Sequence, residues 1–315
     1  MNVLFITANR VGDAVLSTGV LAHLVERYPA ARFTIACGPY AAGLFRAVPR
    51  LERIIVLEKK SWNRHWLGLW AACAGLRWDV VVDLRDSAVS RLLHAKKRYV
   101  RRARPGQHKV IENATTLGLD PPPAPHIWLD AEASKQAAVL LPAARALLAF
   151  GPAANWPPKQ WPVERFAALA QKLTATGGLL AGAAVVIIAD THERAQLAPL
   201  LRAIPDAERV ELFGRGLLTA AAAIKQCKLF VGNDSGLMHL AAAVGTPTLG
   251  LFGPGYEEIY GPWGAHCAFV RTTERREELL ARLPNMDARE PNLMLGLSVE
   301  KAYEATKRLM EQTMR

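Results

Sequence analysis

Short apolar runs alternate with helical patterns along the first part of the chain. The strand-like runs cover residues 3–7, 33–37, 54–57 and 80–84. Between the first two runs, apolar residues recur at helical spacing over residues 13–28, and Pro29 marks the predicted end of that helix. Strands that alternate with helices in this way predict a parallel sheet that is covered on both faces.

The same alternation restarts after a proline-rich passage at residues 119–125 and a helix predicted over residues 130–141. Further strands are predicted over residues 146–150, 184–189, 210–213, 229–231 and 248–252. This pattern predicts a second doubly wound α/β domain, so we expect domains over residues 1–140 and 141–315. An amphipathic helix is predicted over residues 299–310 and is a candidate to pack back on the first domain.

One stretch, KLFVGNDSGLMHLAAAVGTPTLGLFGP at residues 228–254, reads as strand, tight turn, helix and strand. Asp234 and Ser235 are both good N-cap residues, and Gly245 marks the end of the predicted helix. The free N–H groups around Ser235 and Gly236 point out of the helix with the positive end of its dipole. This helix end therefore predicts a phosphate site.

Asp234 suits a different ligand group, because a carboxylate repels phosphate but accepts hydrogen bonds from sugar hydroxyls. His239 lies four residues after Ser235 and so on the same face of the helix. Each residue also has a plain interpretation, with Asp234 as a simple cap and His239 as a core histidine. Their joint spacing favours a site for a sugar phosphate.

Positive charge is concentrated in the first part of the chain. The protein has 315 residues and a net charge of +11, and residues 1–130 hold 19 Lys and Arg against 10 Asp and Glu. This excess predicts an anionic partner, either a nucleic acid or an anionic glycolipid at a membrane surface. No nucleic-acid recognition motif accompanies the charge, so we expect the glycolipid. The densest run, residues 96–104, is equally well explained as a solvated surface.

The composition favours a globular protein, with 51% hydrophobic residues and no apolar run long enough to cross a bilayer. A strand pattern begins at the third residue, which predicts a cytoplasmic protein without a signal peptide. The four cysteines are scattered and form no Cys-x-x-Cys pair, which argues against disulfides and zinc. The sequence contains no Asp-x-Asp pair and no cluster of His and Cys residues. It therefore predicts no metal site, and no cofactor is expected.

The Asp234-Ser235-Gly236 turn, His239, the Ala-rich helix and the closing Gly-Thr-Pro and Leu-Phe-Gly-Pro together resemble a known signature. It is that of glycosyltransferase family 9, the ADP-heptose:lipopolysaccharide heptosyltransferases. The resemblance implies a GT-B architecture, in which two Rossmann-like domains face a central cleft. It also implies an inverting, metal-independent transfer of heptose from ADP-heptose to a lipopolysaccharide core acceptor at the inner face of the inner membrane.

Asp13 follows the first strand, where open α/β sheets bind ligands, although an Asp at a helix start is often only a cap. The segment Arg10-Val11-Gly12-Asp13 is similar to the Leu-Gly-Asp loop of the family, whose aspartate is held to be the base that deprotonates the acceptor. Asp83 and Asp86 on the same rim are the alternative bases.

Lys159 stands in GPAANWPPKQWPVER, residues 151–165, which resembles a family loop ending in Lys-x-Trp-Pro. The resemblance implies that this lysine binds the donor pyrophosphate and stabilises the leaving group. An ammonium suits an anion that gains charge as the glycosidic bond breaks. Relatives often carry hydroxyl residues where this chain has Ala154-Asn155, so the phosphate contact there is expected from Asn155 or from the backbone.

Further site residues are predicted by position and by analogy. Glu193 matches a family glutamate near the donor ribose, and Leu212 is expected along the base pocket. The rim residues Gly12, Arg85, Asp86 and Arg91 are candidates for acceptor binding.

Three alternatives remain open from the sequence. The donor is another nucleotide sugar if the sugar contacts differ from those of the family. Alternatively, the chain is a silent glycolipid- or nucleotide-binding module, against which the presence of both Asp13 and Lys159 speaks. A nucleic-acid-binding protein is the weaker third choice, and the sequence does not fix the oligomeric state.

Overall fold

The computed structural model describes residues 1–59, 61–285 and 287–313, and the chain divides into two compact units. The first unit covers Met1–Asp130 and the second covers Ala131–Arg315. The division therefore lies at Asp130 rather than after residue 140. The reason is that the helix over Ala131–Leu140 packs against a helix of the second unit. A hydrogen bond of 2.8 Å from Thr219 to Gln136 joins the two helices.

The first unit is a five-stranded parallel sheet with helices between the strands. The strands are β1 (Asn2–Ile6), β2 (Arg32–Cys37), β3 (Leu51–Val56), β4 (Trp78–Asp83) and β5 (Ala95–Val100). The helices are α1 (Val11–Val15), α2 (Thr18–Arg27), α3 (Pro39–Ala42), α4 (Arg64–Ala74), α5 (Ala88–Leu92) and α6 (Lys109–Thr115). The strand order β3-β2-β1-β4-β5 reverses between β1 and β4, which makes that point the topological switch point.

The second unit is a six-stranded parallel sheet. Its strands are β6 (Leu147–Gly151), β7 (Ala184–Ala189), β8 (Arg209–Phe213), β9 (Leu229–Asn233), β10 (Thr248–Phe252) and β11 (Cys267–Arg271). Its helices are α7 (Ala131–Leu140), α8 (Val163–Thr174), α9 (Ala198–Ala203), α10 (Leu217–Lys225), α11 (Gly236–Ala243), α12 (Glu257–Tyr260), α13 (Arg276–Leu280) and α14 (Val299–Thr313). The order β11-β10-β9-β6-β7-β8 has its switch point between β6 and β9.

The single helix predicted over residues 13–28 is wrong, because α1 and α2 are separated at Leu16 and Ser17. The hydroxyl groups of Ser17 and Thr18 each donate to the backbone carbonyl three residues earlier, at 2.7 Å. Such local bonds compete with the helical pattern. The carbonyl of Leu16 accepts instead from the buried amide of Asn113 on α6, at 3.1 Å.

Two strands that the apolar pattern did not predict, β5 and β11, lie at the edges of their sheets. β5 is built from AKKRYV, so part of the basic run at residues 96–104 is an edge strand and not merely a solvated surface. Lys96 pairs with Asp79 on β4 at 2.7 Å, and Arg98 donates to the carbonyls of Ser90 and Leu93. An edge strand tolerates this charge, which also protects it from pairing with another chain.

The amphipathic helix predicted near the carboxyl terminus is α14. Its buried positions include Ala302, Ala305 and Leu309, and it packs against α8 and the β10–β11 edge of its own unit. The core of the second unit is centred on the apolar strands β6, β7 and β9 and on the aromatic cluster of Phe150, Trp161 and Phe166.

Candidate active site

The switch point of the second unit brings two predicted segments together. The loop after β6 carries Lys159, and the turn after β9 carries Asp234. The Lys159 ammonium lies 3.2 Å from a carboxylate oxygen of Asp234, with both side chains mostly buried. The sequence predicted the meeting of these segments but not the ion pair between them.

Buried anchors hold the lysine loop in place. Trp161 is 1% exposed, and its indole N–H donates to the carbonyl of Leu297 at 2.8 Å. Asn233, fully buried at the end of β9, accepts from the backbone N–H of Trp161 at 2.9 Å and donates to the carbonyl of Pro152 at 2.7 Å. Asn233 therefore fixes both ends of the segment over residues 152–161.

The amino end of α11 carries unsatisfied hydrogen-bonding groups. Ser235 is the N-cap residue, and its hydroxyl is buried with no partner among the described residues. The first N–H groups of a helix also lack partners within the helix. Asp234, the other predicted cap, pairs instead with Lys159. Together the hydroxyl, the N–H groups and the ammonium suit an anionic ligand.

Gly236 and His239 occupy different environments on α11. Gly236 is the first residue of the helix, where the missing side chain leaves the backbone open to close approach. His239 lies one turn later, and its backbone N–H is 3.5 Å from the carbonyl of Ser235. The side chain of His239 is 4% exposed, so it belongs to the buried side of the helix.

The remaining predicted donor residues lie along the same edge of the sheet. Asn155 is exposed in the loop after β6. Glu193 closes a capping box after β7, in which its carboxylate accepts from the backbone N–H of Asp190 at 2.8 Å. Leu212 on β8 is fully buried and pairs with Ile188 on β7, so the structure does not expose it to a ligand.

The switch point of the first unit holds Asp13. This residue is half-buried in α1, directly after Gly12. Its helix begins after Arg10, whose side chain makes no capping bond. Asp13 is therefore in the first turn of α1 and is not its N-cap residue. This excludes the alternative that Asp13 is only a helix cap.

The electrostatic surroundings of Asp13 act in opposite directions. Burial raises the pKa of the Asp13 carboxyl above its ordinary value, and the charges of Lys109, Arg10, Arg101 and Arg85 oppose that rise. The net effect is a raised pKa. A raised pKa makes the carboxylate a better proton acceptor than an exposed aspartate.

Sequence reasoning missed the carboxylate that fixes two of these cations. Glu112 on α6 is 4% exposed, and it accepts from Arg101 at 2.7 Å and from Lys109 at 2.5 Å. The spacing of Lys109 and Glu112 within one helix was the available signal. The bond to Arg101 depends on how β5 and α6 meet in space, which no local pattern shows.

The loop after β4 places a third cation at the same rim. The Arg85 guanidinium donates to the side-chain oxygen of Asn9, after β1, at 2.8 Å. Asp83 is fully buried and accepts from the backbone N–H groups of Arg85 and Ser87, each at 2.8 Å, and from the Ser87 hydroxyl at 2.6 Å. Asp83 therefore shapes this loop, and its role as an alternative base is not supported by the structure.

Asp86 and Arg91, predicted to bind the acceptor, form an ion pair of 2.5 Å with each other, and both are exposed. Asp86 has a left-handed backbone conformation, with φ 51°. Asp86 precedes the N-cap residue of α5, and Arg91 lies in the last turn of that helix.

Within residues 1–59, 61–285 and 287–313, no three His, Cys, Asp or Glu side chains are grouped to hold a metal ion. In that part of the chain no helix is both long and apolar enough to span a membrane. The four cysteines are free, and burial raises the pKa of each thiol, for Cys37 to about 12.

Residues 72–286 match the family model described as glycosyltransferase family 9 (heptosyltransferase). A lipooligosaccharide heptosyltransferase 2 from Haemophilus influenzae is 24% identical, over 98% of this chain and 99% of its own length.

Solved structures show the same fold. The family 9 glycosyltransferase from Veillonella parvula has a TM-score of 0.79 at 21% identity, over 99% of this chain and 97% of its own. The ADP-heptose lps heptosyltransferase II from E. coli has a TM-score of 0.75 at 22% identity, over the whole of both chains. These likenesses confirm the predicted α/β fold of GT-B type.

Proposed function

Because this chain belongs to glycosyltransferase family 9, we propose that it transfers heptose from ADP-heptose to the core oligosaccharide of lipopolysaccharide. The names of its relatives support this choice, since they describe heptosyltransferases of lipooligosaccharide and lipopolysaccharide. The transfer is proposed to be inverting and to take place at the inner face of the inner membrane.

One observation carries the proposal, namely the group of donors at the switch point of the second unit. The Lys159 ammonium, the unpartnered Ser235 hydroxyl and the amino end of α11 lie together. A pyrophosphate fits these donors, and the Asp234 carboxylate beside them fits a sugar hydroxyl. Without a ligand, Lys159 and Asp234 pair with each other. A bound donor would replace or share that contact, with its phosphate at Lys159 and its sugar hydroxyl at Asp234.

Asp13 has the character that the reaction requires of a base. It takes the proton of the acceptor hydroxyl, whose oxygen attacks the anomeric carbon of the heptose. The bond from that carbon to the β-phosphate oxygen breaks, and ADP leaves with the electron pair. The ammonium of Lys159 stabilises the charge that develops on the leaving phosphate. Attack opposite the leaving group gives the inverted product.

Metal independence is part of the proposal. The positive charge that a divalent cation would supply to the pyrophosphate is assigned to Lys159 and to the dipole of α11. Full turnover in the presence of a chelator is the expected result, and activity restored only by an added divalent cation would contradict this assignment.

The transfer assay should supply ADP-heptose, ADP-glucose and a UDP-sugar in turn, with a heptose-deficient lipopolysaccharide core as the acceptor. We expect ADP release and a product heavier by one heptose with ADP-heptose alone. Transfer from a different nucleotide sugar would keep the enzyme class and change the donor. Donor binding without transfer or hydrolysis would identify a silent binding module.

A further inference from the structure

The helix α4 in the first unit is apolar on two opposite sides. Its inner side is buried, with Leu69 1% exposed and Cys73 fully buried in the core. The opposite side carries Leu67, Trp70 and Ala71, all exposed, at the spacing of one helical face. A helix on the surface of a globular protein normally presents polar residues to water. An apolar outer side therefore indicates a surface that another apolar phase covers.

The turn that leads into α4 extends this apolar surface. Trp62 is 95% exposed, and it has a left-handed backbone conformation with φ 55°. That conformation is strained for a bulky residue, and here it coincides with a side chain held out in solvent. Leu67 is 67% exposed, Trp70 is 43% exposed and Leu76, just after the helix, is 41% exposed. We call this set, Trp62, Leu67, Trp70 and Leu76, the α4 surface.

The charge within the segment that contains the α4 surface is of one sign, between Glu58 before it and Asp79 after it. Residues 59–78 contain four Lys and Arg residues and no Asp or Glu. Lys59 and Arg64 are exposed before and at the start of the helix, and Arg77 is exposed after its end. Tryptophan with flanking basic residues is the combination that prefers the interface of an anionic bilayer. A protein partner would be expected to place some hydrogen-bonding polar groups within such a surface.

The helix α4 contacts the rim that carries Asp13 through Trp66, a partly buried residue outside the α4 surface. The Arg85 guanidinium lies 5.4 Å from the ring centre of Trp66 in α4, and it also donates to Asn9 at 2.8 Å. The helix that carries the α4 surface is therefore anchored to the loops after β1 and β4.

From these observations we infer that α4 and the turn before it form a docking site for an anionic phospholipid bilayer. Trp62, Leu67 and Trp70 enter the interfacial zone, and Lys59, Arg64 and Arg77 contact the headgroups. The inference deepens the proposed function. It rests on that function in one respect, namely that a lipid-linked acceptor requires the enzyme to work at a membrane. This attachment is hydrophobic and local, so it differs from long-range attraction by the net charge of the first unit.

The test is flotation of the whole protein with phosphatidylcholine vesicles that contain or lack phosphatidylglycerol. Wild type should bind the anionic vesicles and should retain part of that binding when salt rises from about 0.1 M to about 1 M, because charge is then screened within about 3 Å. The double variant Leu67→Gln with Trp70→Gln should lose at least about tenfold in vesicle affinity, since it removes two large apolar side chains from the contact.

The matched control is Val139→Ser with Leu295→Gln, which removes two exposed apolar side chains from the second unit. It should bind vesicles as wild type does. Trp62→Ser is a further variant that cannot disturb the core, because this side chain is almost wholly in solvent, and it should lose part of the affinity. Equal melting temperatures of the variants and wild type would confirm that folding is unaffected.

Three results would overturn the inference. The first is vesicle binding by the Leu67 and Trp70 variant that equals wild type. The second is binding that salt abolishes completely, which would make the attachment purely electrostatic. The third is a wild-type dimer that this variant converts to a monomer, which would assign the α4 surface to a second copy of the chain. Flotation uses neither donor nor acceptor, so failure of the proposed transfer would leave its result unchanged.

Discussion

The two switch points of this molecule have the same topology and opposite electrostatics. In the first unit, Asp13 lies half-buried among four cations, two of which are fixed by the buried Glu112. In the second unit, Lys159 lies beside one carboxylate and the amino end of α11. In the first arrangement burial raises the pKa of a carboxylate against the effect of the cations, and in the second a cation and free helix N–H groups suit an anion. The sheet sets where a site lies, and the side chains decide its chemistry.

Replacement of Asp13, the proposed base, should produce the largest effect. Asp13→Asn should lower turnover by about 10² to 10⁴, the usual contribution of a general base. Donor affinity should not change, because the predicted donor contacts belong to the second unit. Single-turnover rates measured beside calorimetric ADP affinity would check both statements. Asp86→Asn, on the same rim, serves as the comparison and should reduce the chemical step far less. Near-normal turnover in Asp13→Asn would end the assignment of Asp13.

The cation cluster of the first unit should be the next most sensitive. Glu112→Gln leaves Arg101 and Lys109 without their shared carboxylate, and loss of one partner of a buried pair costs about 3 kcal/mol of stability. Urea unfolding would measure this loss. The control is Glu300→Gln, whose partner is Lys172 and whose side chain is 65% exposed, and it should cost less than about 1 kcal/mol. Equal losses in the two variants would show that Glu112 is no stronger an anchor than a surface carboxylate.

Removal of the cation of the second unit should weaken both donor binding and turnover. Lys159→Ala deletes a charge-assisted hydrogen bond to phosphate, worth about 2 kcal/mol or roughly thirtyfold in affinity. ADP titration in a calorimeter gives the binding loss, and single-turnover rates give the chemical loss. Lys172→Ala, which removes a partly exposed lysine of the same unit that pairs with Glu300, should affect neither. Unchanged ADP affinity in Lys159→Ala would move the phosphate site elsewhere.

The smallest effect concerns stability and pH. The pKa of Asp13 is raised in the folded state, mainly by burial, so the native protein holds this proton more tightly than the unfolded chain does. Stability is therefore lost as pH rises from the unfolded pKa, about 3.9, through the folded pKa. Asp13→Asn should melt at a higher temperature than wild type at neutral pH, and the difference should shrink toward pH 4. A lower melting temperature for the variant at neutral pH would mean that the cations outweigh burial.

The same raised pKa predicts the acid limb of the activity profile. Turnover should fall as pH drops through the folded pKa of Asp13, above the range of an exposed aspartate, because the base becomes protonated. A profile of single-turnover rate against pH would locate this limb, and a limb in the ordinary aspartate range would contradict the predicted shift.

The second switch point was the more predictable from sequence, and the reason is local. Lys159, Asp234 and Ser235 lie in short motifs directly after strands, so strand ends and helix caps were enough to bring them to one edge. The resemblance to a known family suggested the roles that are proposed for them. The strands β7 and β10 were predicted with the bounds that the structure shows, because both are continuous apolar runs.

The first switch point was only partly predictable, because its contacts join distant residues. Glu112 reaches Arg101, the residue after β5, and Asn113 reaches the carbonyl of Leu16, across 97 residues. β5 itself was hidden by its lysines and arginines, since an edge strand does not need an apolar pattern. The break between α1 and α2 came from hydroxyls that bond to nearby carbonyls, which helical periodicity alone does not reveal.

Asn233 sets a rule for transplanting loops into this scaffold. Its buried amide holds the carbonyl of Pro152 and the N–H of Trp161 at once, so the chain between those two points is clamped at both ends. A graft that keeps both backbone groups at their present separation can vary in length and composition between them without disturbing β9. A graft that shifts either group would leave a buried amide unsatisfied, at a cost of about 1 to 3 kcal/mol. Redesign of donor preference through this loop is therefore confined to residues 153–160, with Lys159 kept as the partner of Asp234.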